Sequence, residues 1–291
     1  SEWALSMEHL GNGRVVLGTY SGSSSTESNS GKLYESTDYG QTWNSTAIFS
    51  PGVKRIVTLR LNPENNTLLV GCKDNSSNPT VYILGDTSPV KNLTPSDAAS
   101  GDVFGYGVSL SSDGTILAIG ARDWEGSYTN QGGVYIYDWN SSSRLWVQRG
   151  DVLVSNFEGS GIEAFGMSTE LNGDGTVLAV GQIGSWSSQS NKQVEIFDWN
   201  SSTSSWDYRI KIDAPDDSTR TASQSSFSVS VSMNSSATKL VVGACNDNSN
   251  KGYVYTYTLS EGESATTTKI NFKSESIFED DKLEINYITK I

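Results

Sequence analysis

Phe104-Gly-Tyr-Gly-Val-Ser-Leu-Ser-Ser-Asp-Gly-Thr-Ile-Leu-Ala-Ile-Gly-Ala121 returns as Phe165-Gly-Met-Ser-Thr-Glu-Leu-Asn-Gly-Asp-Gly-Thr-Val-Leu-Ala-Val-Gly-Gln182. A looser copy runs Phe227-Ser-Val-Ser-Val-Ser-Met-Asn-Ser-Ser-Ala-Thr-Lys-Leu-Val-Val-Gly-Ala244, and Asn12–Gly18 and Asn66–Gly71 echo its second half. Self-similarity of this length marks one supersecondary unit stacked on its own copies. The glycine closing each apolar run serves as a ruler: Gly18, Gly71, Gly120, Gly181 and Gly243, in steps of 53, 49, 61 and 62 residues. Five such units fill nearly all of the 291-residue chain.

Each unit has one internal grammar. A short alternating segment such as Val108 and Leu110 leads through a polar turn to the run Ile116–Ile119. A polar loop follows, then Gly-x-Val-Tyr-x-Tyr, as in Gly133–Tyr137 and Gly252–Tyr257, and a closing strand such as Leu145–Gln148. Short runs of Val, Ile and Tyr bounded by Gly, Asn, Asp and Ser are strand chemistry, and no stretch sustains a 3.6-residue period. The chain therefore reads as all-β, a five-bladed β-propeller of four-stranded antiparallel blades, with six blades as the rival count. The expected organisation is a propeller over 1–272, with blades at 1–50, 51–98, 99–158, 159–220 and 221–272, and a C-terminal strand or tail over 273–291.

The Phe-Gly frame followed by Gly-x-Val-Tyr-x-Tyr resembles the FG-GAP repeat of integrin-α-like propellers, above all the subtype of large secreted or surface proteins. Trp146-Val-Gln-Arg-Gly150 leading to Phe165-Gly166 extends the likeness, which covers about Asp97 to Leu259. Ser36-Thr-Asp-Tyr-Gly-Gln-Thr-Trp43 in the first blade looks like an Asp-box, a hairpin cap whose role in its families is structural. The resemblance implies partner binding through a loop face. Calcium-binding FG-GAP turns carry several carboxylates, because a hard cation wants six or more oxygens. The turns here, Ser111–Gly114, Asn172–Gly175 and Asn234–Ala237, keep one carboxylate or none. The expectation is no metal and no cofactor, calcium being unsupported by the loop carboxylates.

With 33 acidic against 20 basic residues the net charge is −13, which disfavours nucleic acid or an anionic membrane surface as partner. No run reaches the roughly 18 apolar residues of a helical span, so membrane insertion is not expected. Solubility rests on Ser, Asn, Thr and Gly, a balance that points to an extracellular or cell-surface protein, with a virion surface as alternative. Sequons stand at Asn44, Asn65, Asn75, Asn92, Asn140, Asn200 and Asn234. Cys72 and Cys245 each follow a ruler glycine, in blades that are not neighbours round a closed five-blade ring, too far apart for a disulfide.

The loop after the ruler glycine is the candidate ligand site. It holds Asp74, Asp123 with Trp124, Trp186, and Asp247. Carboxylates beside aromatic rings suit a sugar, whose C–H face lies on a ring while acids accept its hydroxyls. The competing reading has Trp124 and Trp186 wedged between blades and the acids closing their own turns. No Gly-x-Ser-x-Gly, metal-spaced His set or phosphate loop is present, so no catalytic residue is expected. The functional expectation is a non-enzymatic adhesion or recognition module with a protein or glycan partner at the loop face. The alternative is a structural subunit of an appendage, fibre or virion that self-assembles through the propeller and residues 273–291. A glycan-processing enzyme comes third.

Overall fold

The computed structural model describes residues 2–21, 31–46, 53–62, 67–74, 81–84, 91–97, 99, 101–127, 129–156, 164–184, 192–214, 227–244, 253–260 and 265–270. They form twenty strands in five four-stranded antiparallel sheets, each built from four consecutive strands. Blade 1 holds β1 (Glu2–Gly11), β2 (Arg14–Ser21), β3 (Leu33–Ser36) and β4 (Asn44–Thr46). Blade 2 holds β5 (Val53–Asn62), β6 (Thr67–Asp74), β7 (Val81–Leu84) and β8 (Lys91–Leu93). Blade 3 holds β9 (Phe104–Leu110), β10 (Ile116–Ala121), β11 (Gly133–Asn140) and β12 (Leu145–Gln148). Blade 4 holds β13 (Ser168–Leu171), β14 (Val177–Gln182), β15 (Gln193–Asn200) and β16 (Ser205–Asp213). Blade 5 holds β17 (Phe227–Met233), β18 (Lys239–Ala244), β19 (Tyr253–Leu259) and β20 (Ala265–Ile270). The chain is all-β, and no described helix is long and apolar enough to cross a membrane.

The blades pack face to face through their first two strands: β1 and β2 lie on β5, β5 and β6 on β9, β9 and β10 on β13, and β13 and β14 on β17. In blades 3 and 4 the second strands are sandwiched between neighbours, and β10 and β14 are buried at every position. That is why both read as unbroken apolar runs instead of alternating ones. The repeat aromatics meet inside each blade: Phe104 stands edge-on to Tyr135 at 5.4 Å, Phe165 to Phe197 at 6.0 Å and Phe227 to Tyr255 at 5.7 Å. Tilted pairs Trp139–Trp146 and Trp199–Trp206, 5.3 and 5.5 Å apart, hold the outer hairpins of blades 3 and 4 in register.

The ruler glycines sit at the seams. A Cβ on Gly18 would lie 2.4 Å from the Ile56 side chain, on Gly71 2.1 Å from the Gly105 carbonyl, on Gly120 1.9 Å from the Gly166 carbonyl, and on Gly181 2.3 Å from the Ser228 carbonyl. Each formed seam thus brings the start of the next blade to where only a hydrogen fits. Gly243 differs: among the described residues its Cβ would meet only Ser230 of its own blade, at 3.5 Å. Among the described residues, no strand of blade 5 packs on blade 1 as the other seams pack.

Polar turns close the first hairpins by local bonding. The Ser111 hydroxyl donates to Asp113 at 2.6 Å, and Asp113 accepts the Thr115 amide at 3.0 Å. Asn172 and Asn234 accept two amides each in the same place. These turns also join the blades: the Ser112 amide donates to the Gly173 carbonyl, and the Gly173 amide to that of Ser235. In blade 1, the Ser36 and Asp38 side chains accept the Gly40 and Thr42 amides at 2.8 Å each. The Trp43 indole N–H donates to the Gly40 carbonyl, and the ring stays 37 % exposed rather than packed between strands. Cys72 is buried in the seam of blades 1 and 2; Cys245 lies outside the described residues.

Candidate functional site

Of the five sequence-derived site residues, the side chains of Asp123 and Trp124 are described; those of Asp74, Trp186 and Asp247 lie outside the described residues. Asp123 and Trp124 follow β10, as the ruler spacing requires, but both are engaged locally. Asp123 takes a bidentate pair from Arg122, 2.8 Å to each oxygen, and Arg122 in turn lies 4.9 Å over the Tyr106 ring. Trp124 is half-buried against the seam of blades 2 and 3 and covers Gly126 and Gly133. Trp124 is thus engaged in packing, and the Asp123 carboxylate pairs with Arg122 and accepts no turn amide among the described residues.

Among the sequons, Asn44, Asn140 and Asn234 are exposed. Asn200 donates to Asp207 at 2.8 Å, and Asn234 donates to Ser236 and Thr238. Asn65 and Asn75 lie outside the described residues, as does the side chain of Asn92. No group of three or more His, Cys, Asp and Glu suited to a metal ion occurs among the described residues. The turn carboxylates Asp113 and Asp174 already accept hydroxyls from Ser111, Thr115 and Thr176. Burial opposes the charge on Asp113, yet these bonds outweigh it and hold the carboxyl below its usual range; at Asp174 the Thr176 hydroxyl is the main cause.

A second constellation gathers near the axis. The residue on each first strand opposite the position two before the ruler glycine is Glu8, Arg60, Ser109, Glu170 or Ser232. Three of them receive a backbone N–H from the next blade: Glu8 from Leu61 at 3.1 Å, Ser109 from Leu171 at 2.9 Å, and Glu170 from Met233. The Ser109 hydroxyl donates to Glu170 at 3.3 Å, and Arg60 of blade 2 reaches past blade 3 to within 3.8 Å of the same carboxylate. Burial pushes the Glu170 carboxyl up, Arg60 and Ser109 opposing it. These contacts saturate the carboxylate as an inter-blade clasp. The signal was in the repeat, since Ser109, Glu170 and Ser232 each stand five residues after the repeat phenylalanine.

A concave surface lies farther out. After β12 the chain crosses to blade 4 as a strap, 150–156, pinned by the Val134–Leu153 bridge on one side and by buried Glu195 on the other. Glu195 accepts the Ser155 hydroxyl, the Asn156 amide at 2.9 Å and the Gln193 amide group at 2.7 Å. Between strap and outer hairpin opens a groove of about 450 Å³, within the range of ordinary ligand sites. Phe197, Trp206 and Tyr208 form its aromatic wall, and Asp151, Asn156 and Ser205 its polar side. Tyr208 is 42 % exposed, and Asp151 and Asn156 are also exposed. Behind the wall, Arg149 lies 4.1 Å over the Trp199 ring and donates to Asp138, which fixes the hairpin against blade 3. Sequence reasoning did not find the groove, because the strap opposite Trp206 has no repeat signature.

Stacked four-stranded blades round an axis make this chain a β-propeller. Residues 88–137 match the FG-GAP repeat family. No curated protein sequence matches the chain. Among solved structures it is similar in fold to the periplasmic gluconolactonase of Pseudomonas aeruginosa, at 12 % identity and a TM-score of 0.54, covering 88 % of this chain and 67 % of that one. A putative 6-phosphogluconolactonase from Bacteroides uniformis gives 12 % identity and 0.54, covering 91 % and 69 %. An ancestral GH74 enzyme gives 15 % and 0.57, covering 91 % of this chain and 35 % of that one.

Proposed function

We propose that this chain is an extracellular, non-enzymatic recognition module that binds carbohydrate in the groove between the 150–156 strap and the outer hairpin of blade 4. The observation that carries this reading is the pairing of exposed Tyr208 and half-buried Trp206 with Asp151 and Asn156 across about 450 Å³. Aromatic faces cover the apolar side of a pyranose while carboxylate and amide groups take its hydroxyls. The FG-GAP match supports a partner-binding role, and the net charge of −13 favours a neutral or cationic ligand over an anionic one. The test is a glycan array read with the wild-type chain and with Tyr208→Ala and Asp151→Asn. Binding that both variants weaken supports the groove; binding unchanged by either, or lost on Trp124→Ala alone, moves the site to the loop face. The similar solved structures include lactonases and a GH74 enzyme, so the same samples go into lactone- and β-glucan-hydrolysis assays. Turnover that follows the protein and not a contaminant would replace the recognition reading with an enzymatic one.

A further inference from the structure

The aromatic wall of the groove beside the 150–156 strap contains a donor without an acceptor. Trp206 and Tyr208 stand two residues apart on β16, and Phe197 pairs with Tyr208 across the sheet, so the three rings share one face. The Trp206 indole N–H is buried and has no hydrogen-bond partner among the described residues. Buried indole N–H groups are ordinarily paired. The ring's neighbours on its own side of the sheet are Trp199, 5.5 Å away, and the Arg149 guanidinium, 6.0 Å away. Both of those side chains only donate hydrogen bonds, so neither can satisfy it. The acceptor is left to come from the groove that Trp206 lines.

The strap supplies the complement. Asp151 and Asn156 are exposed, and neither side chain has a hydrogen bond or ion pair among the described residues. Between them in the strap, Val152, Leu153 and Val154 add apolar lining, and Phe197 adds more from blade 4. A plain pyranose lays its C–H face on Tyr208 and its hydroxyls on the polar groups, which leaves this second apolar surface bare. A free amino sugar offers an ammonium, which suits Asp151 but gives the indole N–H nothing to donate to. An acidic sugar brings an acceptor, but its charge is repelled by Asp151.

We propose that the groove selects sugars carrying a 2-acetamido group. The acetamido carbonyl accepts the Trp206 indole N–H, its N–H donates to Asp151 or Asn156, and its methyl lies on the apolar lining, while Tyr208 covers the sugar ring. One neutral substituent thus meets the orphan donor, the free acceptors and the apolar surface together. The inference rests on the carbohydrate reading of this same groove and names the substituent that the groove recognises.

The test is an NMR titration of the nitrogen-labelled full chain, following the indole N–H signals of its eight tryptophans. The probes are N-acetylglucosamine and N-acetylgalactosamine, set against glucose, galactose and glucosamine. The expected result is that an acetamido sugar binds at least about tenfold tighter than its parent sugar and than the free amine, because a site built around a hydrogen bond rejects the analogue that lacks the group. The same titration should move the Trp206 indole signal downfield more than any other. Trp206→Phe keeps a ring but no N–H, and should erase the preference while parent-sugar binding persists; the wild-type indole signal reports the contact even where that variant fails to fold. A parent sugar that binds as tightly as its acetamido derivative, with shifts lost in Tyr208→Ala, overturns the selectivity and leaves the carbohydrate groove standing. An acetamido preference that leaves the Trp206 signal unmoved overturns the assignment of the contact. No shift at the groove with any of the five sugars overturns the proposal, and together with a blank glycan array it takes the carbohydrate reading down as well.

Discussion

Gly120 and Gly243 hold the same place in the repeat, yet alanine at the two should have opposite consequences. Neither has a left-handed backbone, so a side chain costs nothing in conformational strain and the comparison isolates packing. At Gly120 the new Cβ would sit 1.9 Å from the Gly166 carbonyl oxygen and 2.8 Å from its carbon. Both are backbone atoms of blade 4 and cannot rotate aside, so the seam must open by about 1.5 Å to reach ordinary contact. Overpacking of this kind costs roughly 1–3 kcal/mol, and the upper half of that range fits a backbone collision. At Gly243 the Cβ meets, among the described residues, only Ser230 at 3.5 Å, an ordinary contact. Gly243→Ala should therefore be neutral, or stabilising by about 0.4–1 kcal/mol through the narrowed unfolded ensemble. The difference of roughly 2–4 kcal/mol corresponds to about 4–8 °C in Tm for a chain of this size. Calorimetry on dilute protein, paired with urea unfolding followed by tryptophan fluorescence, reads it directly. Equal losses at both positions would refute the reasoning, because they would mean that a blade already covers Gly243.

Ser109→Ala strands the buried Leu171 amide and removes a donor to Glu170, so urea unfolding should show a loss of about 1–3 kcal/mol with an unchanged m-value. Glu170 adds a pH dependence. Burial raises its folded pKa above the ordinary 4.5, so between those values the native state binds more protons than the unfolded chain. Its contribution is greatest below that window and falls as pH rises through it; Glu170→Gln should flatten this decline, and an unaltered stability–pH curve would count against the clasp. Asp38 runs the other way. Bonds from the Thr42 hydroxyl and amide and from Ser36 hold its carboxyl at about 2, against an ordinary 3.8. What it contributes to the blade 1 turn is present above 3.8 and lost as pH falls through about 2; an NMR titration of Asp38 with a midpoint near 3.8 would show the turn unmade.

The blades were legible in the sequence because their causes are local. Alternation of Val108 and Leu110, the unbroken run Ile116–Ile119 and the Ser-x-Asp-Gly-Thr turn each specify a strand or a reversal within a few residues. The repeat then multiplied one reading by five. The ruler glycine was legible as a mark, though not as a socket for the next blade's carbonyl. The candidate site was far less so. Asp123 and Trp124 stood at the right place in the loop, but Arg122 beside one and Gly126 and Gly133 beneath the other decide where their side chains go.

By itself, then, the sequence determined the all-β class, the antiparallel order within each sheet and the positions of the turns, since these follow from period, propensity and glycine over short stretches. Only the tertiary structure decided that Arg60 reaches Glu170 across an intervening blade, that the 150–156 strap faces Trp206 and Tyr208 over a groove, and that among the described residues Gly243 lacks the cover its four counterparts have. Those relations join residues tens of positions apart, and they depend on how blades stack, which no local pattern encodes.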